Sequence, residues 1–468
     1  MMIRHLLPAA CLAVAALVPT RPATAGEPAL RLPEYHPTKL ENGITLLLVE
    51  RPALPLITVH WVMRTGGATG DPAGQEGLAS LTAGLLRKGT ATRSAAQISD
   101  DLDFVGATLD AGAGLDRASG SCEFVKTDLD AVVDLLAETL THPAFPADEL
   151  TKLVRQSVDG IKEEKAVPGQ VIGRYFMGAL FGSHPYGRPV GGTETSLARV
   201  TREDVVRFYQ ERYAPNQMIL AVAGDFSAPV MEARLRAAFG GWTARVAPPA
   251  LLPAADPARG RRALIVAKPD ATQMFFRFGN LGLAFTNPDR VPIEVVNTLF
   301  GGRFTSMLNS ELRIQSGLTY GASSGFTPLR LPGPFAISSY TPNETAGRAM
   351  DLALETLKRL HEHGLTAEQL KSAKAYLKGL YPTQFETNDQ IAATIAELEL
   401  YGLDRTWIDT WFARIDAVTV ADARRVIDRY YPLENLSFVF IGQAAVVEPV
   451  AKRLGLEARS KPIEDPGF

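Results

Sequence analysis

Val200–Asp225, VTREDVVRFYQERYAPNQMILAVAGD, reads as a helix, a Tyr-containing turn and a buried apolar strand that ends at Gly224. Val418–Gln443, VTVADARRVIDRYYPLENLSFVFIGQ, repeats that order without a gap and ends its strand at Gly442. A second pair, ADELTKLVRQSVDGI from Ala147 and AEQLKSAKAYLKGL from Ala367, is offset along the chain by nearly the same distance. Two matches at one spacing point to duplication of a whole domain, and two copies exclude a solenoid.

Between the copies lies VAPPALLPAADPARGRR, residues 246–262, rich in Pro and Ala and without amphipathic period, which marks a linker. Each half starts with short strand-like runs, such as ITLLLVE and LITVHWVMRTG, and continues with helical periodicity, as in DLDAVVDLLAETL and AMDLALETLKRL. The expected fold class is α+β: two homologous domains, residues 26–245 and 263–468, each a mainly antiparallel sheet with helices packed on it, arranged as a clamshell. At 468 residues and 46% hydrophobic content the chain can bury two such cores.

The segment Met1–Ala25 has the form of a secretory signal, with Arg4 and His5, an apolar run from Leu6 to Val18, and Ala23-Thr24-Ala25 before the cut. Cleavage there predicts a periplasmic protein. Losing Arg4 and Arg21 and no acidic residue takes the formal charge from -3 to -5. No second apolar run is long enough to cross a bilayer, and no basic stripe suits a nucleic-acid backbone. Cys11 leaves with the signal, so Cys122, in the alternating stretch SGSCEFV, is read as a buried structural thiol with no disulfide partner.

Gly77–Thr90, GLASLTAGLLRKGT, resembles the insulinase/pitrilysin inverzincin block, in which G-x-A-H-x-x-E-H runs through an apolar stretch to a basic residue, Gly and Thr. The resemblance continues through HPYGRPVGGTE at His184, the YAPN turn and strand at Tyr213, and GGRFTSMLNSELRIQSGLTYGASS at Gly301, and so covers essentially the whole mature chain. On that block the zinc-binding histidines fall on Ser80 and Gly84, the general-base glutamate on Ala83, and the third ligand at or next to Gly160, with Asp159 adjacent but on another helical face. A hydroxyl, a methyl and two glycines supply no metal donors, so no zinc is expected in this chain. The remaining histidines offer no rescue. His361 and His363 are splayed two residues apart on a helix, while His184 and His60 read as a turn residue and a strand residue. The Gly66–Gly77 stretch lacks the G-K-[ST] ending of a phosphate loop and reads as the loop leading into the former zinc helix.

The family's C-terminal half contributes an arginine and, seven residues on, a tyrosine; here ELRIQSGLTYG supplies Arg313 and Tyr320, with Gly317 fitting a left-handed helix end between them. Taken alone, the pair would be a solvated helix residue and a half-buried strand residue. Within the resemblance it implies a substrate-binding arginine and a phenol that donates to an oxyanion. An emptied metal site beside a kept Arg/Tyr pair resembles the non-catalytic subunit of two-chain family members, whose zinc-bearing H-x-x-E-H partner carries the metal. The implied function is that of a heterodimer subunit in peptide hydrolysis. The alternative is a peptide-binding or scaffold protein of the cell envelope with no part in catalysis.

Overall fold

The computed structural model describes residues 31–468; the signal segment and Cys11 lie outside them. The repeated helices Arg202–Arg212 and Val420–Tyr430 open on the same device. Thr201 and Thr419 accept the backbone N–H of Asp204 and Asp422, whose carboxylates accept the threonine N–H in return. Each helix leads to a strand in which every residue is buried, Met218–Gly224 and Leu436–Gly442.

Those strands sit inside two sheets of matching topology. The first contains β1 (Pro37–Lys39), β2 (Thr45–Glu50), β3 (Leu56–Met63), β4 (Thr108–Leu109), β5 (Gly112–Ala113), β6 (Ala118–Val125) and β7 (Met218–Gly224), ordered β1-β2-β7-β3-β6-β4 with β5 also on β6. The second contains β8 (Arg261–Ala267), β9 (Gln273–Leu281), β10 (Ala322–Phe326), β11 (Pro334–Pro342), β12 (Leu436–Gly442) and β13 (Glu457–Pro462), ordered β10-β11-β9-β12-β8-β13. The run β2-β7-β3-β6 thus recurs as β8-β12-β9-β11. The sheets are mixed: β2 with β7, and β8 with both β12 and β13, are parallel pairs. Residues 242–260 carry no helix or strand, while Arg261 and Arg262 already pair with Leu436 and Ser437. The linker therefore ends sooner than its composition implied, because ladder pairing takes both arginines.

Alternation along the strands decides what each face meets. In the first sheet Leu46, Val59, Trp61, Leu220 and Val222 point into the core built with that half's own helices. The other face, with Leu47, Val49, Val62, Ile219, Ala221 and Ala223, is covered by the helix Asn388–Leu400 from the second half, through Ile391, Ala392 and Ile395. Reciprocally, the helix Pro168–Phe181 of the first half lays Val171, Ile172, Tyr175 and Phe176 on Val266, Ala336, Val439 and Ile441 of the second sheet. The central strands are apolar on both faces because helices from both halves cover them. Arg64 fixes one crossing: it pairs with Glu399 at 2.8 Å and donates to the Glu399 and Leu400 carbonyls at the helix end. The chain's outer segments cross as well: Arg405 holds the Leu32 carbonyl at 2.7 Å, and the Gly467 N–H reaches Glu194 at 2.9 Å.

Ile395→Ala removes a fully buried side chain from the foreign helix and is expected to cost about 2–5 kcal/mol. Thermal unfolding of the variant should shift as one transition reporting both halves. Residues 31–245 expressed alone, with the β2-β7-β3 face uncovered, are expected to be soluble only when residues 246–468 are co-expressed.

Candidate functional site

The helix Leu78–Leu85 stands where the resemblance puts the zinc motif, and its start is held by Asp71. The Asp71 carboxylate accepts the Gly77 and Ala79 N–H groups, each at 2.8 Å. Burial pushes this carboxyl up to about 7, against the pull of those two N–H groups and of Arg188. The glycines before the helix serve close approach: a side chain at Gly67 would begin 2.4 Å from Leu115 O and Arg117 N.

Three of the four positions matched to the zinc site are taken up by packing, and the fourth is open. Ser80 Oγ donates to the Val190 carbonyl at 2.9 Å, and Ala83 is fully buried. A side chain at Gly84 would begin 3.1 Å from Leu153 Cδ2, a leucine of the helix Ala147–Ala166. Gly160, on that same helix, faces open space, while the adjacent Asp159 is exposed and 3.5 Å from Lys162. One engaged hydroxyl and three positions without a donor do not fit zinc. Among the described residues no group of three His, Cys, Asp or Glu side chains converges as a metal site.

The other singled-out residues have structural partners. His184 Nδ1 accepts the Tyr186 N–H at 3.1 Å, and Nε2 lies 3.0 Å from the Pro253 carbonyl, an arrangement that assigns the proton to Nε2 and ties a turn to the linker. His361 reaches the Tyr431 carbonyl at 2.5 Å, whereas His363 is exposed at the helix end. His60 faces the crossing helix, 3.7 Å from Asp389, too long for a hydrogen bond. Cys122 is buried on β6, and burial pushes its thiol up to about 12.

Arg313 lies in the π-helical turn Ser310–Gln315, which Ser316 closes by donating its hydroxyl to the Glu311 and Leu312 carbonyls. Gly317 adopts φ +63°, its N–H returning to the Arg313 carbonyl at 3.1 Å. Thr319 is then buried, and its hydroxyl and the Gly321 N–H lock the turn before β10. That turn leaves Tyr320 78% exposed. It lies outside any strand, unlike the half-buried strand residue that spacing alone implies. The Arg313 guanidinium stacks 4.8 Å over the Phe304 ring, itself exposed. Sequence spacing could not have found that contact, since Phe304 lies in the turn before the helical stretch that carries Arg313 and not on one face of a regular helix with it. Among the described residues no hydrogen bond or ring contact joins Arg313 or Tyr320 to the helix Leu78–Leu85.

Two α+β halves around a peptidase-type helix stripped of its ligands define a degenerate peptidase architecture. The chain belongs to the insulinase family: the model described as Insulinase (Peptidase family M16) matches residues 58–194, and that described as Peptidase M16 inactive domain matches residues 199–377. An uncharacterized zinc protease of Mycobacterium leprae is 29% identical over 407 residues, which is 84% of this chain and 89% of that protein. One of Streptomyces coelicolor is 28% identical over 398 residues, 83% of this chain and 85% of its own. Among solved structures, a peptidase M16 inactive domain from Pseudomonas fluorescens superposes with TM-score 0.82 at 25% identity, covering 88% of this chain and 98% of that one. A protease from Helicobacter pylori shares the fold at TM-score 0.82 and 21% identity, covering 88% of this chain and 100% of that one. The relatives are named zinc proteases, whereas the positions that the resemblance matches to zinc ligands hold Ser80, Gly84 and Gly160, and the one it matches to the general base holds Ala83.

Installing Ser80→His, Ala83→Glu and Gly84→His together is expected to cost about 2–4 kcal/mol of stability, through crowding against Leu153 and a buried glutamate without a partner. The purified variant should carry no stoichiometric zinc by elemental analysis. Asp71 gives a pH signature. Because its native value of about 7 lies above the ordinary 3.8, the native state binds the proton more tightly, and its contribution is present below about pH 4 and lost as pH rises to 7. Chemical denaturation at pH 5 and pH 7 should show a loss of about 2 kcal/mol that Asp71→Asn removes.

Proposed function

We propose that this chain is the non-catalytic subunit of a heterodimeric periplasmic zinc metallopeptidase and acts in peptide hydrolysis only with a zinc-bearing H-x-x-E-H homologue. The observation that carries the reading is an exposed Tyr320, seven residues after an Arg313 braced by Phe304, in a chain whose positions matched to the metal site hold no donors. Zinc and general base belong to the partner. This chain's share is binding and charge stabilisation. The Tyr320 hydroxyl, a neutral donor on an exposed turn, can donate to the oxyanion that develops at an attacked peptide carbonyl. The Arg313 fork can hold a substrate carbonyl or carboxylate, and a guanidinium fixed over an aromatic ring loses little freedom in doing so.

The family named for residues 199–377, the inactive domain, accords with a subunit that contributes surface and side chains. Export through the cleavable segment before Gly26 would place the pair in the periplasm, where short or unfolded peptides are the substrates.

Peptidase assays on a fluorogenic peptide library are expected to show no turnover with this chain alone and turnover when the zinc-bearing homologue is added. In the mixture Tyr320→Phe should lower kcat about 10²–10³-fold with the complex intact by gel filtration, the scale of losing one oxyanion donor. Chelator-sensitive activity of the isolated chain would overturn the reading. A mixture without activity would leave the chain as a peptide-binding or scaffold protein of the envelope.

A further inference from the structure

Ser80, in the place of a zinc ligand, holds the Val190 carbonyl, and Val190 belongs to a loop that walls a cavity of about 200 Å³. Two arginines, Arg174 and Arg188, and no acidic residue line that cavity; Leu115, Met177, Pro189 and Val190 supply apolar wall.

The guanidinium of Arg174 is fixed on two sides. Its Nη2 donates to Glu164 at 2.7 Å, and its face lies 5.2 Å over the Phe468 ring. The remaining Nη1 is buried and has no hydrogen-bond partner among the described residues, as is true of the second Glu164 oxygen, Oε2. It lies toward the loop, 3.4 Å from where a side chain at Gly191 would begin. Arg188 donates Nη1 to the Asp71 carbonyl at 2.8 Å, which aligns it from the start of the former zinc helix. Behind the cavity, Arg277 of β9 points at the crossing helix, with Nη1 3.5 Å from where a side chain at Gly173 would begin. Its Nε is likewise buried without an acceptor, its face stacks 5.4 Å from the Phe176 ring, and burial lowers its affinity for its proton.

A buried guanidinium N–H without an acceptor is costly, and a site with surplus positive charge gains from any anion that can enter. Glu164 neutralises Arg174 in part; among the described residues no ion pair joins a carboxylate to Arg188 or Arg277, although the Asp71 carboxyl lies near enough to Arg188 to act on it. An inorganic anion would use the charge but not the apolar wall. A carboxylate carried on an apolar residue uses both, and guanidinium forks match its two oxygens. We infer that the cavity between the helix Pro168–Phe181 and the loop 188–191 is a binding site for a peptide carboxylate, from a C-terminus or an acidic side chain, with the guanidinium groups of Arg174 and Arg188 as its donors. The inference rests on the reading that this chain binds peptides. It does not depend on catalysis or on a partner, so it is tested on the chain alone.

Calorimetric titration of the whole chain should use three probes: the pentapeptide Ala-Ala-Ala-Ala-Leu with a free C-terminus, the same peptide amidated, and an amidated peptide ending in Glu. The free-acid peptide is expected to bind roughly tenfold or more tightly than its amide, and Arg174→Gln should bring the two to the same level. Binding of the amidated Glu peptide instead would support the same site with a side chain as the source. Because Arg174 also braces Phe468, a second variant, Met177→Trp, fills the cavity while leaving the arginines and is expected to abolish the difference. Equal binding of acid and amide without tighter binding of the Glu peptide, no binding of any peptide, or retention of the difference in both folded variants would overturn the inference. Any of these results would leave the Tyr320→Phe assay of the mixture unaffected.

Discussion

Everything in this molecule rests on an exchange of helices between its two halves. Each sheet buries one face under its own helices and the other under a helix contributed by the opposite half, Asn388–Leu400 on the first sheet and Pro168–Phe181 on the second. Neither sheet can be completed without the other half, because an uncovered face of Leu47, Val49, Ile219 and Ala221 would stand in water at about 25 cal/mol per Å² of apolar area. The crossing also explains where charge appears on otherwise apolar strands. His60 and Arg277 occupy the faces turned toward foreign helices, and Arg64 ties one of those helices by its last carbonyls. The relative placement of the former zinc helix and of the Arg313–Tyr320 turn is thereby inherited from a rigid, shared core.

A helix without a bound metal has to be held in some other way. In this chain the start of that helix is pinned by a buried carboxylate, its outer face by the Ser80 hydroxyl, and its back by Leu153 against Gly84. Groups that would coordinate an ion in a zinc-bearing relative have become contacts between elements. The same contacts fix the loop 188–191, so the emptied site and the arginine-lined cavity are two sides of one loop. What the chain retains in the second half is of a different kind, an exposed phenol and a guanidinium held on a phenyl ring, both turned outward.

Much of this could be read from residues in order. The duplication is carried by two pairs of segments at one offset, and the repeated Thr-x-x-Asp caps, buried strands and closing glycines followed it into the fold. Gly317 was readable because a left-handed helix end is a local demand that glycine meets at little cost. That Ser80, Ala83, Gly84 and Gly160 offer no set of metal donors follows from the side chains alone. Other features were beyond reach. Strand direction was set by crossovers that bring β2 beside β7 and β8 beside β12, hence the mixed sheets. The linker lost Arg261 and Arg262 to a ladder with Leu436 and Ser437, near the other end of the second half.

The amino-acid sequence by itself determined the class of fold and the doubling of the domain, since these depend on local periodicity and on repeats. Only the tertiary structure decided which helix covers which sheet, that Phe304 braces Arg313, and that Arg174 and Arg188 meet in one cavity with Arg277 behind it. Those outcomes are pairings between residues that local sequence does not bring together. Their energies come from burial and from the satisfaction of charge, which exist only once the two halves have closed on each other.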